Sequence, residues 1–244
     1  MTASTPSGLR LLGPLRAAAR GTFFRPRSGS MPTTRAAFLV DGFNLYHSLK
    51  RASRALGGTG TRWLDLSSFY RSFLSQIGGN AQLESVTYFS ALAEHLESLK
   101  PDVTQRHKDY LECLRATGVD IQLAHFKKKS VVCPDCAKRI TRHEEKETDV
   151  AIAITLIELL LEDRCDAVVL ITGDSDLAPA IRSARRLFPE KLVCCCFPFD
   201  RVSEELRAIA TRHFKIGSDQ YARHQFADPF LVNSRRAVSK PPRW

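Results

Sequence analysis

The chain has 244 residues, 43% of them hydrophobic, and a formal charge of +10 at pH 7, enough for one sizeable core with attachments and a bias toward polyanionic partners. No uncharged apolar run approaches the roughly 20 residues of a membrane span, since the longest, residues 150–161, is interrupted by Glu158. Seven cysteines form an odd set with no secretory signal, and Cys194, Cys195 and Cys196 are consecutive in an apolar run, which excludes a disulfide-stapled secreted domain and reads as a buried strand in a reducing compartment.

Residues 1–34 form a basic leader: Arg10, Arg16, Arg20, Arg25 and Arg27 occur there without an acid. Two readings are open. One is a mitochondrial transit peptide, which is arginine-rich and acid-poor; the other is a dispensable extension ahead of Met31. The second is preferred, because a strand begins only about five residues after Met31, and it places the protein in the cytoplasm.

The first strand is expected at 36–40, a short apolar run ending at Asp41-Gly42. A helix follows over 44–56, then one over 66–77 capped by Asp65. A second strand is expected at 84–92, a helix from Asp102 to Ala116, and a third strand at 119–126. Beyond an irregular insertion at 127–146, Thr148 is expected to cap a helix over 149–162 with its apolar stripe at Val150, Ile154, Ile157 and Leu161. A fourth strand (167–171), a helix (177–187), a fifth strand (191–197), a helix (203–211) and an edge strand (213–216) complete the pattern. Strands alternating with helices predict a three-layer α/β/α sandwich around a mostly parallel, Rossmann-like sheet. The basic tail, 218–244, is expected to be loosely docked or disordered.

Four acids fall just past strand ends or at a helix start: Asp41, Asp149, Asp174 and Asp176. In an open α/β sheet this is where ligands bind. Carboxylates gathered there repel one another unless a cation such as Mg²⁺ or Mn²⁺ neutralises them, and such a cation can supply the nucleophilic water and charge relief that phosphodiester hydrolysis needs. Asn44, three residues after Asp41, is suited to orient a carboxylate or a phosphate, and Thr172 and Ser175 could assist through their hydroxyls. The plainer reading is that each Asp caps a helix or a turn. Glu144, Glu145 and Glu147 read first as a solvated charge run, and His47 as a surface or packing residue.

The segments VDGFNLYH (40–47), EEKETDVAIA (144–153) and VVLITGDSDLAPAI (168–181) together resemble the motifs of the NYN domain family, in the LabA-like branch of the PIN-like nucleases, over 35–217. The resemblance implies a PIN-like sandwich that binds a divalent metal and cleaves RNA. Carried onto this chain, it assigns Asp41 and Asn44 to the first motif, Asp149 to the second, and Asp174 and Asp176 to the third.

The insertion contains Cys133-Pro-Asp-Cys136, flanked by His125 and His143. This spacing allows a structural Zn²⁺ knuckle, although one CxxC is only half a site and two unmetallated thiols at a turn are the alternative. Lys127, Lys128, Lys129, Arg139 and Arg142 in the same segment suit an RNA backbone, and His125, Phe126 and Tyr88 could stack on bases. Arg182, Arg185 and Arg186 form a second basic cluster that reads equally well as a solvated helix face. The leading expectation is a metal-dependent ribonuclease; the alternative is a non-catalytic RNA-binding or regulatory adaptor on the same fold. A small-molecule phosphatase of the haloacid-dehalogenase kind is disfavoured, because Phe43 stands where its second Asp belongs. A homodimer is admitted by the sequence but not required by it.

Overall fold

The computed structural model describes residues 33–132, 136, 139–242 and 244, with side chains at all of these except 127–129 and 140–146. The leader therefore lies outside the described residues. Six strands are parallel: β1 (Thr34–Asp41), β2 (Ala81–Ala91), β3 (Asp120–Val132), β5 (Ala167–Ile171), β6 (Leu192–Phe197) and β7 (Arg212–Lys215), and β4 (Arg139–Lys146) adds an antiparallel edge. The order is β4-β3-β2-β1-β5-β6-β7. The chain winds outward from β1 in one direction, returns, and winds outward from β5 in the other. The crevice of such a sheet opens between β1 and β5, where the direction reverses.

Strand alternation divides the apolar side chains between two cores. Ala36, Phe38 and Val40 of β1 face a layer made by α1 (Gly42–Ala55), α2 (Leu66–Arg71) and α4 (Val103–Ala116), whereas Ala37 and Leu39 face α5 (Thr148–Leu161), α6 (Ala178–Leu187) and α7 (Glu204–Ile209). The expected three-layer sandwich is present.

Several details differ from the sequence expectation, each for a local reason. The helix expected over 66–77 is broken into α2 and α3 (Leu74–Ile77); the Ser72 hydroxyl donates to the Phe69 carbonyl at 2.6 Å, an interaction that competes with continuation of the helix. Thr148 is the first, buried residue of α5 rather than its cap, and the cap position is taken by Glu147 at φ +77°. The core face of α5 is Ile152, Leu156, Leu159 and Leu160, whereas Val150, Ile154 and Leu161 of the expected stripe are 61%, 52% and 71% exposed. That helix is apolar nearly all round, so its periodicity did not select a face.

The largest difference is the tail. Instead of being loose, it forms α8 (Ser218–Arg223) and a hairpin of β8 (Phe230–Asn233) and β9 (Arg236–Val238). Tyr221 is fully buried, Phe226 packs at 5.8 Å from Trp63, and Trp244 lies 6.0 Å from the same indole. The polar composition that suggested disorder is outweighed by these spaced aromatics, each of which stabilises by roughly 1.5–3 kcal/mol on burial.

Candidate active site at the sheet crossover

β1 ends at Asp41 and β5 ends one residue before Thr172, so the two strands flanking the crossover deliver both to one place. Asp41 and Thr172 are only 3% and 1% exposed. The Asp41 Oδ1 atom accepts the backbone N–H of Asn44 at 2.9 Å and so caps α1. Its Oδ2 atom accepts the Asn44 side-chain amide at 2.6 Å and the Thr172 hydroxyl at 2.9 Å. The Thr172 hydroxyl oxygen in turn accepts the N–H of Asp174 at 3.0 Å, and Asp174 Oδ1 accepts the N–H of Asp176 at 3.1 Å, starting a 3₁₀ turn over Ser175–Leu177. Gly42 starts α1 against β2, where any Cβ would collide with the Phe89 carbonyl and the Tyr88 ring.

The opposite wall of the site is a residue that the sequence reading did not single out. Arg201 Nε donates to Asn44 Oδ1 at 2.6 Å, and the Gly173 N–H donates to the same oxygen at 3.3 Å. A Cβ on Gly173 would strike the Arg201 carbonyl. The loop after β6 that carries Arg201 is clamped to α1: the Ser48 hydroxyl donates to the Phe199 carbonyl at 2.9 Å, and Arg51 pairs with Asp200 at 2.7 Å. Arg201 stands four residues past the end of β6, and no local pattern marks it out, because its contact with Asn44 is long-range.

Burial pushes the Asp41 carboxyl above its ordinary range; bonds from the Asn44 backbone, Thr172 and the Asn44 side chain pull it back, and the charge of Asp174 pushes it up again. Asp174, whose backbone N–H binds the same Thr172 hydroxyl that binds Asp41, adds a second carboxylate just past the strand ends; hard oxygens of this kind suit Mg²⁺ or Mn²⁺, which keep several waters and need only one or two protein carboxylates. His47 stands nearby on α1, its pKa lowered by burial and then by Arg201, Lys50 and Arg51.

Not all the expected residues converge. Among the described residues no group of three or more His, Cys, Asp or Glu is tight enough to hold a metal. Asp41 and Asp174 are linked through the Thr172 hydroxyl, while Asp176 and Ser175 are exposed on the 3₁₀ turn. Asp149 sits half-buried in the first turn of α5; that end of the helix, at Glu147 and Thr148, borders a cavity of about 110 Å³ beside Phe89 and Gln122 on the strand ends. The same rim of the sheet thus carries all four acids without closing them into one shell.

The insertion is a hairpin in which β3 continues past its parallel partner to pair with β4, His125 opposite Lys146 and Val132 opposite Arg139. The side chains of Lys127, Lys128, Lys129, Arg142 and His143, and all of Cys133, lie outside the described residues. By register Lys127 stands opposite Glu144, so the hairpin is not uniformly basic. Arg139 and Cys136 are exposed near the tip. His125 is at the root, its Nδ1 3.5 Å from Glu147. The strand from His125 to Val132 is extended, which places the two ~23 Å apart at 3.3 Å per residue. Of the expected zinc set, Cys133 and the His143 side chain lie outside the described residues, and His125 and Cys136 stand at the root and near the tip of the hairpin. In the second basic cluster Arg182 pairs with Glu205 at 2.7 Å and Arg185 donates to the Ile209 carbonyl at 2.5 Å, both holding α7. Cys194, Cys195 and Cys196 are buried in β6, and burial pushes the Cys195 thiol up to about 12, so they pack as hydrophobes.

Comparison with known proteins agrees with this architecture. A solved structure of a protein of unknown function from Vibrio parahaemolyticus matches 79% of this chain and 98% of its own at a TM-score of 0.51 and 20% identity, a likeness of fold. A curated protein of Pseudomonas putida, named 6-hydroxy-3-succinoylpyridine 3-monooxygenase, is 25% identical over 86% of this chain and 75% of its own length. The family model of the NYN domain matches residues 35–217, from the first strand to the loop that follows the last parallel strand. The chain belongs to the NYN domain family, within the PIN-like nuclease superfamily.

Proposed function

We propose that the protein is a divalent-metal-dependent ribonuclease acting at the crossover between β1 and β5. The observation that carries the reading is the buried Asp41 carboxylate, set against Asp174 and fixed by Asn44 and Thr172. Asp41 and Asp174 would hold a Mg²⁺ or Mn²⁺ ion, with Asp149 and Asp176 on the same rim as further oxygen donors. When bound, that ion supplies charge neutralisation for the phosphodiester and a water acidic enough to attack it. Asn44 keeps Asp41 in one orientation, and its own Oδ1 is held by Gly173 and Arg201. Arg201 brings a guanidinium, a planar multi-donor cation suited to phosphate oxygens, to the edge of the acid pair. The hairpin of β3 and β4, with Lys127, Lys128, Lys129, Arg139 and Arg142 in its sequence, extends from the same rim and suits the flanking strand of RNA.

Incubation of labelled RNA and DNA oligonucleotides with the protein in Mg²⁺, Mn²⁺ or chelator tests the reading. Products from RNA in either metal and none in chelator are expected. RNA that binds but stays intact in every metal would reject the nuclease in favour of the adaptor.

A further inference from the structure

Next to Asp41 along the chain, lined by Gly42, lies a cavity of about 390 Å³ between α1, β2 and α4 that the proposed hydrolysis does not use. It is within the size range of small-ligand sites. Gly42 and Phe43 both line it, and Gly42 is one peptide, about 3.8 Å along the chain, from Asp41. A strand whose phosphate lies at Asp41 therefore passes the cavity mouth.

The walls are aromatic. Phe43 and Tyr46 stand at the mouth, 50% and 40% exposed although both are large and apolar, while Tyr88 and Phe126 line the interior. His47 holds both rings edge-on, at 4.6 Å from Phe43 and 5.5 Å from Tyr46, and their remaining exposed surface is open to a stacking partner. The polar groups are few and placed inside. Ser90 is buried, its hydroxyl 3.4 Å from His107 Nε2, and burial drives the His107 pKa down to about 4, so the ring is neutral and presents one donor and one acceptor. Arg106 lines the same space with a buried Nε that has no hydrogen-bond partner among the described residues. A planar apolar slot with a neutral imidazole, a hydroxyl and a guanidinium N–H in need of an acceptor matches the edge of a heteroaromatic ring bearing carbonyl and ring-nitrogen groups.

We propose that this cavity is a nucleobase subsite, which takes one unstacked base of the RNA strand next to the scissile phosphate. It rests on the reading of the acid pair as an RNA-cleaving site. The base enters between Phe43 and Tyr46, and its edge meets Ser90, His107 and Arg106. This assigns the enzyme a preference at one position beside the cut and confines it to single-stranded or splayed substrate, because a paired base cannot enter.

The test is equilibrium binding in chelator, so that its outcome does not depend on turnover. The four nucleoside 5′-monophosphates, ribose 5-phosphate and nicotinate are titrated into the full chain and into Tyr46→Ala and Phe43→Ala, whose exposed side chains can be removed without opening the core. At least one nucleotide is expected to bind about 5- to 150-fold more tightly than ribose 5-phosphate, the range that corresponds to stacking of one base. Tyr46→Ala is expected to remove most of that advantage. Equal binding of nucleotide and ribose phosphate, or an advantage untouched in both variants, overturns the subsite. Nicotinate binding more tightly than every nucleotide overturns it in favour of a site for free heteroaromatic acids. Nucleotide binding with this signature alongside intact RNA in every metal would refute the nuclease and leave the base subsite standing.

Discussion

Asp41 caps a helix with one oxygen and turns the other to the proposed site. Its Oδ1 does what an Asp after a strand commonly does and caps α1, while Oδ2 collects the Asn44 amide and the Thr172 hydroxyl from another strand. The capping reading of the sequence is therefore met by Oδ1 alone, which leaves Oδ2 for the proposed catalytic role. Arg201→Ala removes the cation at the edge of the site and one of the two donors on Asn44 Oδ1; kcat/KM for RNA cleavage is expected to fall about 100-fold with the thermal melt nearly unchanged. Arg201→Lys should recover only part of this, because a point charge cannot reproduce the guanidinium fork. An Arg201→Ala enzyme as active as the parent would remove Arg201 from the mechanism. The acids were legible because a strand followed by Asp is a local pattern. Arg201 was not, because its link to Asn44 spans 157 residues and depends on the loop after β6 folding back over α1.

At the scale of elements, the parallel strands announced themselves as short apolar runs, and their positions came within a few residues of those observed. What local pattern could not supply was the outward face of α5 and the break after α2, since each is decided by what the segment meets in three dimensions, whereas the insertion was legible as a hairpin. The hairpin from 127 to 146 makes a six-stranded parallel sheet seven-stranded, and its loss leaves the rest of that sheet paired. Replacing 127–146 by a short Gly/Ser turn should therefore keep the circular dichroism spectrum in form while weakening RNA binding and lowering its salt dependence; unchanged affinity and salt slope would show that the strand runs elsewhere. At the other end of the sheet, Asp166 ties β1 to β5. Its carboxylate accepts the Arg35 backbone N–H and guanidinium at 2.9–3.1 Å, and Lys191 lies 3.3 Å away. The Arg35 hydrogen bond, against some opposing desolvation, holds the Asp166 pKa down to about 2. Because the folded value lies below the unfolded one, near 3.9, this stabilisation is complete above about pH 5 and is lost as the pH falls from about 4 to 2. Asp166→Asn should cost about 1 kcal/mol at pH 7, a partly solvent-screened value, and the gap to the parent should close near pH 2 in denaturant melts. A gap that persists at pH 2 would assign the effect to packing.

For the molecule as a whole, the segment beyond the family match is part of the fold. Tyr221 OH joins Ser48 on α1 to the backbone N–H of Phe199, at 2.8 and 3.3 Å, and so braces the loop that carries Arg201. Trp63, Tyr110, Phe226 and Trp244 pack ring against ring, and Tyr110 and Trp244 of this cluster line the aromatic cavity. The charge and polarity of 218–244 suggest a loose tail, but its aromatics are spaced to meet one cluster. Phe226→Ala should cost about 3–5 kcal/mol in chemical denaturation; a loss under 1 kcal/mol would mean that the tail is peripheral after all. The central claim, that the carboxylates where the two halves of the sheet part company drive metal-dependent RNA cleavage, is tested most directly by measuring the cleavage rate of one labelled RNA across a Mn²⁺ titration with the parent, Asp41→Asn and Asp174→Asn side by side. The parent rate is expected to rise with Mn²⁺ and saturate, and both variants, folded by circular dichroism, to fall more than about 100-fold. Parent-like cleavage by both variants, or a parent rate indifferent to Mn²⁺ and chelator, would contradict it.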